Sequence, residues 1–134
     1  MARIKDVEGI GTKYADKLVK AGIRTTEALL KAGATPKGRR ELSEKTGIGE
    51  ALILEWVNHV DLYRIKGVGS EYSDLLEAAG VDTIPELAQR KAANLAQKMA
   101  EVNKTKKLVR KLPVESQVAD WIEQAKKLPR EIKY

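Results

Sequence analysis

A five-residue stretch that occurs twice decides the fold: Val7-Glu8-Gly9-Ile10-Gly11 and Ile65-Lys66-Gly67-Val68-Gly69. Residue 7 pairs with residue 65, and the same shift of 58 residues aligns the segments after the two copies without a gap. The matching pairs are Tyr14 with Tyr72, Asp16 with Asp74, Leu18 with Leu76, Ala21-Gly22-Ile23 with Ala79-Gly80-Val81, Thr25 with Thr83, and Leu29 with Leu87. Because glycines, a tyrosine and apolar positions agree together, we interpret the chain as a duplicated unit.

Each copy predicts a short helix after its glycine turn. In the first, Tyr14, Leu18 and Ala21 share one face of a helix over residues 12–21, and Gly22 ends it with a left-handed cap. In the second, Ser70 caps the helix and Gly80 ends it. Thr25 and Thr83 then cap the next helices, and Thr83-Ile84-Pro85-Glu86 has the spacing of a capping box with proline in the first turn.

More helix is predicted after each copy. Thr35-Pro36 begins a helix that ends near Thr46, and Gly47-Ile48-Gly49 is a third tight turn. Residues 104–112 predict a short basic helix stopped by Pro113. Apolar positions at helical spacing mark the remaining helices, with Leu52, Ile53, Trp56, Val57 and Val60 in one, Leu95, Met99 and Val102 in another, and Val118, Trp121, Ile122, Ala125 and Leu128 in the last.

No stretch alternates as a strand does, so the predicted fold class is all-α. The two similar halves, residues 1–61 and 62–134, are expected to pack as one compact helical domain.

Composition narrows the function classes. The chain has 134 residues, 43% of them hydrophobic and 33% charged, with no cysteine and a single histidine. Disulfides, thiolate metal sites and most histidine chemistry are therefore excluded. The first residues contain no apolar signal core and no apolar run is long enough to span a bilayer, so we expect a cytoplasmic protein that does not enter membranes.

The glycine turns suggest a binding chemistry. Two glycines around an apolar residue allow backbone angles that side chains forbid, and the apolar residue fixes the turn to the core. Since a helix begins where the turn ends, unbonded N–H groups and the positive end of the helix dipole face outward. Such a site suits a phosphate oxygen.

The two copies, with their Leu and Ala-Gly ladders, resemble the helix-hairpin-helix motif. That resemblance implies tandem units that bind the sugar-phosphate backbone of DNA without reading its sequence. Gly47-Ile48-Gly49 resembles a third, partial hairpin without the later Ala-Gly step. The whole chain, including residues 54–59 and 107–110, also resembles an uncharacterised helix-hairpin-helix family catalogued as a domain of unknown function.

The expected partner is duplex or branched DNA, and the formal net charge of +6 suits it. Lysines near the turns, and a basic stripe at residues 104, 107 and 111 on one helix face, would add phosphate contacts. The candidate DNA-binding residues are Gly9, Ile10, Gly11, Thr12, Lys13, Lys17, Lys66, Gly67, Val68, Gly69, Ser70, Lys104, Lys107 and Lys111. Lys37, Arg39 and Arg40 are interpreted as surface charge.

Two other functions stay open. Acidic residues after the second turn, Glu71, Asp74 and Glu77, repel phosphate and favour a protein-interaction or scaffold module in which the turns only connect helices. A DNA lyase or glycosylase is more remote, because no lysine lies in a sheltered apolar context. No catalytic residue, metal site or cofactor is predicted, and His59 is interpreted as structural.

Overall fold

The computed structural model describes residues 3–7 and 10–134 and confirms the all-α fold class. Within those residues the only extended pairing is an isolated bridge between Arg3 and Thr25. A short 3-10 helix, Ile4–Asp6, precedes the α-helices. In chain order these are α1 (Gly11–Lys20), α2 (Thr26–Gly33), α3 (Pro36–Thr46), α4 (Glu50–Leu62), α5 (Ser70–Ala78), α6 (Ile84–Ala88), α7 (Ala92–Lys106) and α8 (Glu115–Lys127).

The chain divides into two compact units. Unit 1 comprises Met1–Asp61 together with Glu131–Tyr134, and unit 2 comprises Leu62–Arg130. Unit 1 therefore holds the helices from α1 to nearly the end of α4, and unit 2 holds α5 to α8. Each unit carries one of the two repeated glycine turns.

The first helix of each unit ends in the same way. Gly22 and Gly80 have φ angles of +92° and +95°, which side chains tolerate poorly. After α1 the Ile23 N–H donates to the Leu18 carbonyl at 2.8 Å, and after α5 the Val81 N–H donates to the Leu76 carbonyl at 2.8 Å. Both bonds are those of a Schellman cap, so the predicted glycine caps are confirmed.

Threonine hydroxyls cap the next helices. The Oγ1 of Thr25 accepts from the Ala28 N–H at 3.1 Å, and that of Thr35 accepts from the Gly38 N–H at 3.1 Å. Thr83 Oγ1 accepts from the Glu86 N–H at 3.2 Å, which is half of the predicted capping box. The Glu86 carboxylate instead lies beside Asp82. Partial burial, and then the Asp82 carboxylate, raise the pKa of Glu86 above its ordinary value.

An aromatic pair anchors the core of unit 1. The Tyr14 and Trp56 rings meet edge to face with centroids 5.2 Å apart. Trp56 is 2% exposed, as its position on the predicted apolar face of α4 indicates. The other buried apolar residues of unit 1 are Ile4, Val7, Ile10, Ala15, Leu18, Ile23, Leu29, Leu42, Ile48, Ile53, Val57, Val60 and Ile132.

Unit 2 repeats this device with different helices. Tyr72 of α5 packs on Trp121 of α8 with centroids 5.3 Å apart, and Trp121 is 2% exposed. The core around them consists mainly of Leu75, Leu76, Val81, Ile84, Leu87, Leu95, Met99, Val118 and Ile122. Each unit thus buries a tryptophan from its last helix against a tyrosine from its first.

The last residues of the chain pack within unit 1. Ile132 is buried, and the Lys133 N–H donates to the Ala34 carbonyl at 2.7 Å. Arg39 donates to the Gly33 carbonyl at 2.8 Å and to the Lys133 carbonyl at 2.9 Å. Arg39 is 6% exposed, so its interpretation as surface charge is wrong. Its guanidinium instead donates to two backbone carbonyls. The sequence around Arg39 does not indicate either bond.

Candidate functional site

The turn before α5 is fixed to the core by its two apolar residues. The Ile65 N–H donates to the Leu62 carbonyl and the Val68 N–H donates to the Ile65 carbonyl, both at 3.1 Å. The side chains of Ile65 and Val68 are buried. Val68 therefore supports the turn, but its own N–H is not available to a ligand.

A glutamine on α8 brackets the backbone of Lys66. Gln124 Oε1 accepts from the Lys66 N–H at 2.8 Å, and Gln124 Nε2 donates to the Lys66 carbonyl at 3.2 Å. The Asp120 carboxylate orients this amide by accepting from Nε2 at 2.8 Å. Lys66 can thus contribute only its exposed side chain to a binding surface.

Gly67 lies against the indole of Trp121. Its φ is +95°, and a Cβ added there would come within 3.0 Å of Trp121 Nε1. Gly69 differs, because a Cβ added there would meet nothing within 4 Å. Its φ of −106° is open to any residue. Glycine is therefore favoured at position 67 by the positive φ and by the close Trp121 contact, whereas position 69 leaves an open approach to the backbone.

Helix α5 begins with exposed donors. Gly69 is its N-cap and Ser70 its first residue, so the prediction that Ser70 caps the helix is off by one position. Among the described residues, no acceptor bonds the N–H groups of Gly67, Gly69 and Glu71. All three residues are exposed, and the first N–H groups of a helix have no intrahelical partner, so they are the donors that a ligand acceptor would meet.

The turn before α1 shares the inner half of this arrangement. The Val7 N–H donates to the Ile4 carbonyl at 3.3 Å and the Ile10 N–H donates to the Val7 carbonyl at 3.2 Å. Ile10 is 2% exposed, so, like Val68, it supports the turn without offering its N–H. Gly9, a candidate site residue, lies outside the described residues.

Exposed residues come directly after that turn. Gly11 opens α1 with φ +68°, and Thr12 and Lys13 are exposed. No described residue accepts from the N–H groups of these three residues. Lys17 Nζ lies 5.9 Å from the centroid of the Tyr14 ring, which places a cation one helical turn beyond the donors.

The basic segment near residue 104 is not a helix throughout, so that prediction is wrong beyond Lys106. Lys107 takes a left-handed conformation with φ +50° and ψ +48°, and residues 107–114 are irregular. Asn103 Nδ2 donates to the Val109 carbonyl at 3.1 Å, and Asn103 Oδ1 accepts from the Val109 N–H at 3.0 Å. These bonds replace the helical ones, so Lys104, Lys107 and Lys111 do not share a helix face.

That segment nevertheless returns to the start of α5. The Tyr72 hydroxyl, in the first turn of α5, donates to the Lys111 carbonyl at 2.9 Å. The side chains of Lys104, Lys107 and Lys111 are exposed. Unit 2 therefore brings Lys111 to the helix end where the exposed N–H groups lie.

Sequence reasoning missed the two amide side chains that hold this region, Gln124 and Asn103. Both lie on amphipathic helices, where a polar residue gives the same signal whether it faces water or a backbone segment. His59, predicted to be structural, is 4% exposed within α4.

One protein family covers almost the whole chain. A family model described as a domain of unknown function, DUF4332, matches residues 8–128. The chain belongs to this family. The matched range of the DUF4332 domain includes both glycine turns and all eight α-helices named above. Comparison with curated proteins and with solved structures gives no match.

A membrane-spanning helix must be both long and apolar. Over the described part of this DUF4332 chain, none of the helices has the length and apolar character that crossing a bilayer requires.

Proposed function

We propose that this protein binds duplex DNA without reading its sequence, through tandem helix-hairpin-helix units. One observation carries the proposal. The exposed N–H groups of Gly67, Gly69 and Glu71 have no acceptor among the described residues, and the backbone at Gly69 is open. Phosphate oxygens accept hydrogen bonds from such groups, and the positive end of a helix dipole favours their charge.

The turn before α1 supports the same chemistry with more favourable charge. Gly11, Thr12 and Lys13 are exposed, their N–H groups have no acceptor among the described residues, and Lys13 and Lys17 add two cations on α1. Asp16 is the one acidic residue between Gly11 and Lys20. Attraction to a polyanion should therefore be stronger at this turn than at the turn before α5.

Lysine side chains would supply the sequence-independent part of the affinity. Lys66, Lys104, Lys107 and Lys111 are exposed in unit 2. The proposed contacts go to phosphate oxygens, and such contacts carry no sequence information, so base reading is not part of the proposal. Such binding has a dissociation constant of about 10⁻⁴ to 10⁻⁶ M at physiological salt and weakens steeply as salt rises.

The test is a fluorescence anisotropy titration of a labelled 20-base-pair duplex with the full chain at 50 and 200 mM NaCl. Gly69→Ala adds a methyl group beside the exposed donors, where it meets no protein atom. Loss of a charge-assisted hydrogen bond should weaken binding about tenfold. Gly49→Ala is the matched control, because a Cβ there also meets nothing within 4 Å and Glu50 follows it.

Binding by Gly69→Ala equal to that of Gly49→Ala contradicts the backbone-donor mechanism. Absence of wild-type binding at 50 mM NaCl contradicts DNA binding altogether.

A protein-interaction module is the second candidate, and the exposed Glu71 favours it. This carboxylate lies in the first turn of α5, among the very N–H groups that would meet phosphate, and like charges repel. In such a module the glycine turns only connect helices. Failure of the wild-type chain to bind duplex at low salt, with an intact fold, is the result it requires.

A further inference from the structure

Residues 104–111, hereafter the basic turn, carry a dense group of exposed positive charges. Five of these eight residues are lysine or arginine, and no acidic residue occurs from 103 to 114. Within the described residues, none of the five cations forms an ion pair or donates a hydrogen bond. All five are exposed, namely Lys104, Lys106, Lys107, Arg110 and Lys111.

The backbone of the basic turn is held from both ends. The Asn103 carbonyl accepts from the Lys107 N–H at 2.9 Å, and the Asn103 side chain makes two bonds with Val109. The Tyr72 hydroxyl holds the Lys111 carbonyl at 2.9 Å. Val109 and Pro113 are buried, so the segment is fixed to unit 2 while its cations face outward.

A cation occupies a position that glycine fills in unit 1. Gly47 ends α3 with φ +75°, and its N–H donates to the Ser43 carbonyl at 2.8 Å. Lys107 ends α7 with φ +50° and makes the equivalent bond to Asn103. A side chain is strained in this conformation, and a strained residue persists only where its surroundings hold it; such residues cluster at functional sites.

We propose that the basic turn is a second phosphate-binding surface for duplex DNA, which binds through side-chain cations rather than backbone N–H groups, with Asn103 as its positioning residue. The proposal rests on the proposed function only for the identity of the ligand. A backbone fixed before binding lowers the ordering cost of aligning several cations with successive phosphates. Each neutralised phosphate releases counterions, so the surface should contribute to the salt dependence of binding.

Duplex rather than single-stranded DNA is the ligand that the surroundings favour. Proteins that hold single strands stack bases on exposed aromatic rings. The nearest rings are already occupied, because Tyr72 packs on Trp121 and Trp121 is buried. The basic turn contains no aromatic residue of its own.

The test compares two triple variants of the full chain with equal net charge. Lys107→Gln, Arg110→Gln and Lys111→Gln remove three cations of the basic turn. Lys91→Gln, Lys98→Gln and Lys127→Gln remove three exposed cations elsewhere in unit 2. Helix α7 is about 22 Å long at 1.5 Å per residue, so Lys91 lies far from the basic turn.

Anisotropy with the same duplex over 50 to 200 mM NaCl is the readout. The slope of log K against log salt should become less steep by about two to three for the basic-turn variant, and by less than one for the control variant. At 50 mM NaCl the basic-turn variant should bind at least about tenfold more weakly than the control. Equal slopes and affinities for the two variants overturn the proposal.

Asn103→Ala tests the positioning role, because it removes the Val109 bonds without changing net charge. Binding should weaken several-fold while the helix content by circular dichroism is retained. Wild-type affinity in this variant overturns the positioning role. If Asn103→Ala loses helix content, Asn103→Gln serves instead: it favours helix and keeps the net charge, but its longer side chain cannot make both Val109 bonds in the same geometry, so binding should again weaken several-fold.

These results separate the two proposals. If Gly69→Ala weakens binding and the basic-turn variant matches its control, DNA binding through the backbone donors stands and the proposal for the basic turn is wrong. If the basic-turn variant loses binding and Gly69→Ala matches Gly49→Ala, the basic turn stands and the hairpin mechanism is wrong. No binding of the wild-type chain to duplex overturns both.

Discussion

The α3–α4 connection of unit 1 and the α7–α8 connection of unit 2 start from the same backbone geometry and then diverge. Each begins with a left-handed residue, Gly47 or Lys107, whose N–H bonds a carbonyl four residues back. In each, the side chain of that earlier residue also bonds the loop: Ser43 donates to the Ile48 carbonyl and Asn103 to the Val109 carbonyl. Unit 1 closes its turn with three residues, whereas unit 2 inserts a basic segment.

The difference shows how one helical scaffold can hold different surfaces. Where the chain only needs to reverse, glycine reaches the left-handed conformation at low cost. Where a cation occupies that position, side-chain bonds from Asn103 and Tyr72 must hold the strained backbone. The glycine turns before α1 and α5 also differ in the charge beside them. Lys13 follows the first turn, and Glu71 occupies the aligned position after the second.

The largest predicted difference between the units is in the free energy of unfolding that is lost when one arginine of each is replaced. Arg39 is buried and bonds two carbonyls in unit 1, whereas Arg90 is half-exposed and bonds the Gly80 carbonyl at 3.1 Å in unit 2. Arg39→Met should lower the free energy of unfolding by about 3 kcal/mol, because buried acceptors lose charged donors. Arg90→Met should cost no more than about 0.5 kcal/mol.

Urea unfolding of both variants measures this difference. Arg40→Met is the control, since it removes an exposed charge from the same helix. Equal losses for Arg39→Met and Arg40→Met contradict the structural role of Arg39.

The two glycines of the second turn should respond differently to the same substitution. Gly67→Ala forces a Cβ to within 3.0 Å of the Trp121 indole at a positive φ, so we expect a loss of about 2 kcal/mol. Gly69→Ala meets no atom and should change stability by less than about 0.5 kcal/mol. Thermal unfolding followed by circular dichroism distinguishes them, and a larger loss for Gly69→Ala contradicts the described turn.

Substitutions at the two left-handed caps should change the free energy of unfolding in opposite directions. Gly47→Ala should lower the free energy of unfolding by about 1 kcal/mol, because a side chain is strained at φ +75°. Lys107→Gly should raise it by about 0.5 kcal/mol, because the relief of strain outweighs the freedom that the unfolded chain gains. Chemical denaturation measures both. A destabilised Lys107→Gly variant shows that Lys107 is not strained.

The smallest expected effect is a pH-dependent one at the cap of α6. Because the pKa of Glu86 is raised on folding, its contribution to stability is fully present below about pH 4.5 and is lost as pH rises through the folded-state pKa. Glu86→Gln should therefore raise the melting temperature slightly at pH 7 and leave it unchanged at pH 3.5. An equal gain at both pH values contradicts a pKa of Glu86 that burial and Asp82 raise.

Much of the helical framework could be predicted from the sequence because its signals are local. Gly22, Gly80, Thr25 and Thr83 make bonds to residues three or four positions away, which a linear pattern contains. The turn residues Ile10 and Val68 could also be identified as core anchors. Their spacing did not indicate that their own N–H groups donate to carbonyls within the turn, those of Val7 and Ile65.

The remaining features depend on contacts that the linear pattern does not contain. Gln124 reaches Lys66 across 58 positions, and Arg39 reaches Lys133 across 94. The helix predicted over residues 104–112 fails because Asn103 and Tyr72 offer its backbone better partners than a helix of lysines does. Helix propensity is weak enough for such tertiary bonds to override it.

The most direct test of phosphate binding by the exposed backbone donors is a ¹H–¹⁵N correlation spectrum of the full chain titrated with duplex DNA. We predict that the amide signals of Gly11, Thr12, Gly69 and Glu71 shift, while those of Gly49 and Glu50 stay in place. Unchanged signals at all four residues, under conditions where the duplex is bound, would contradict a role for these donors in DNA binding.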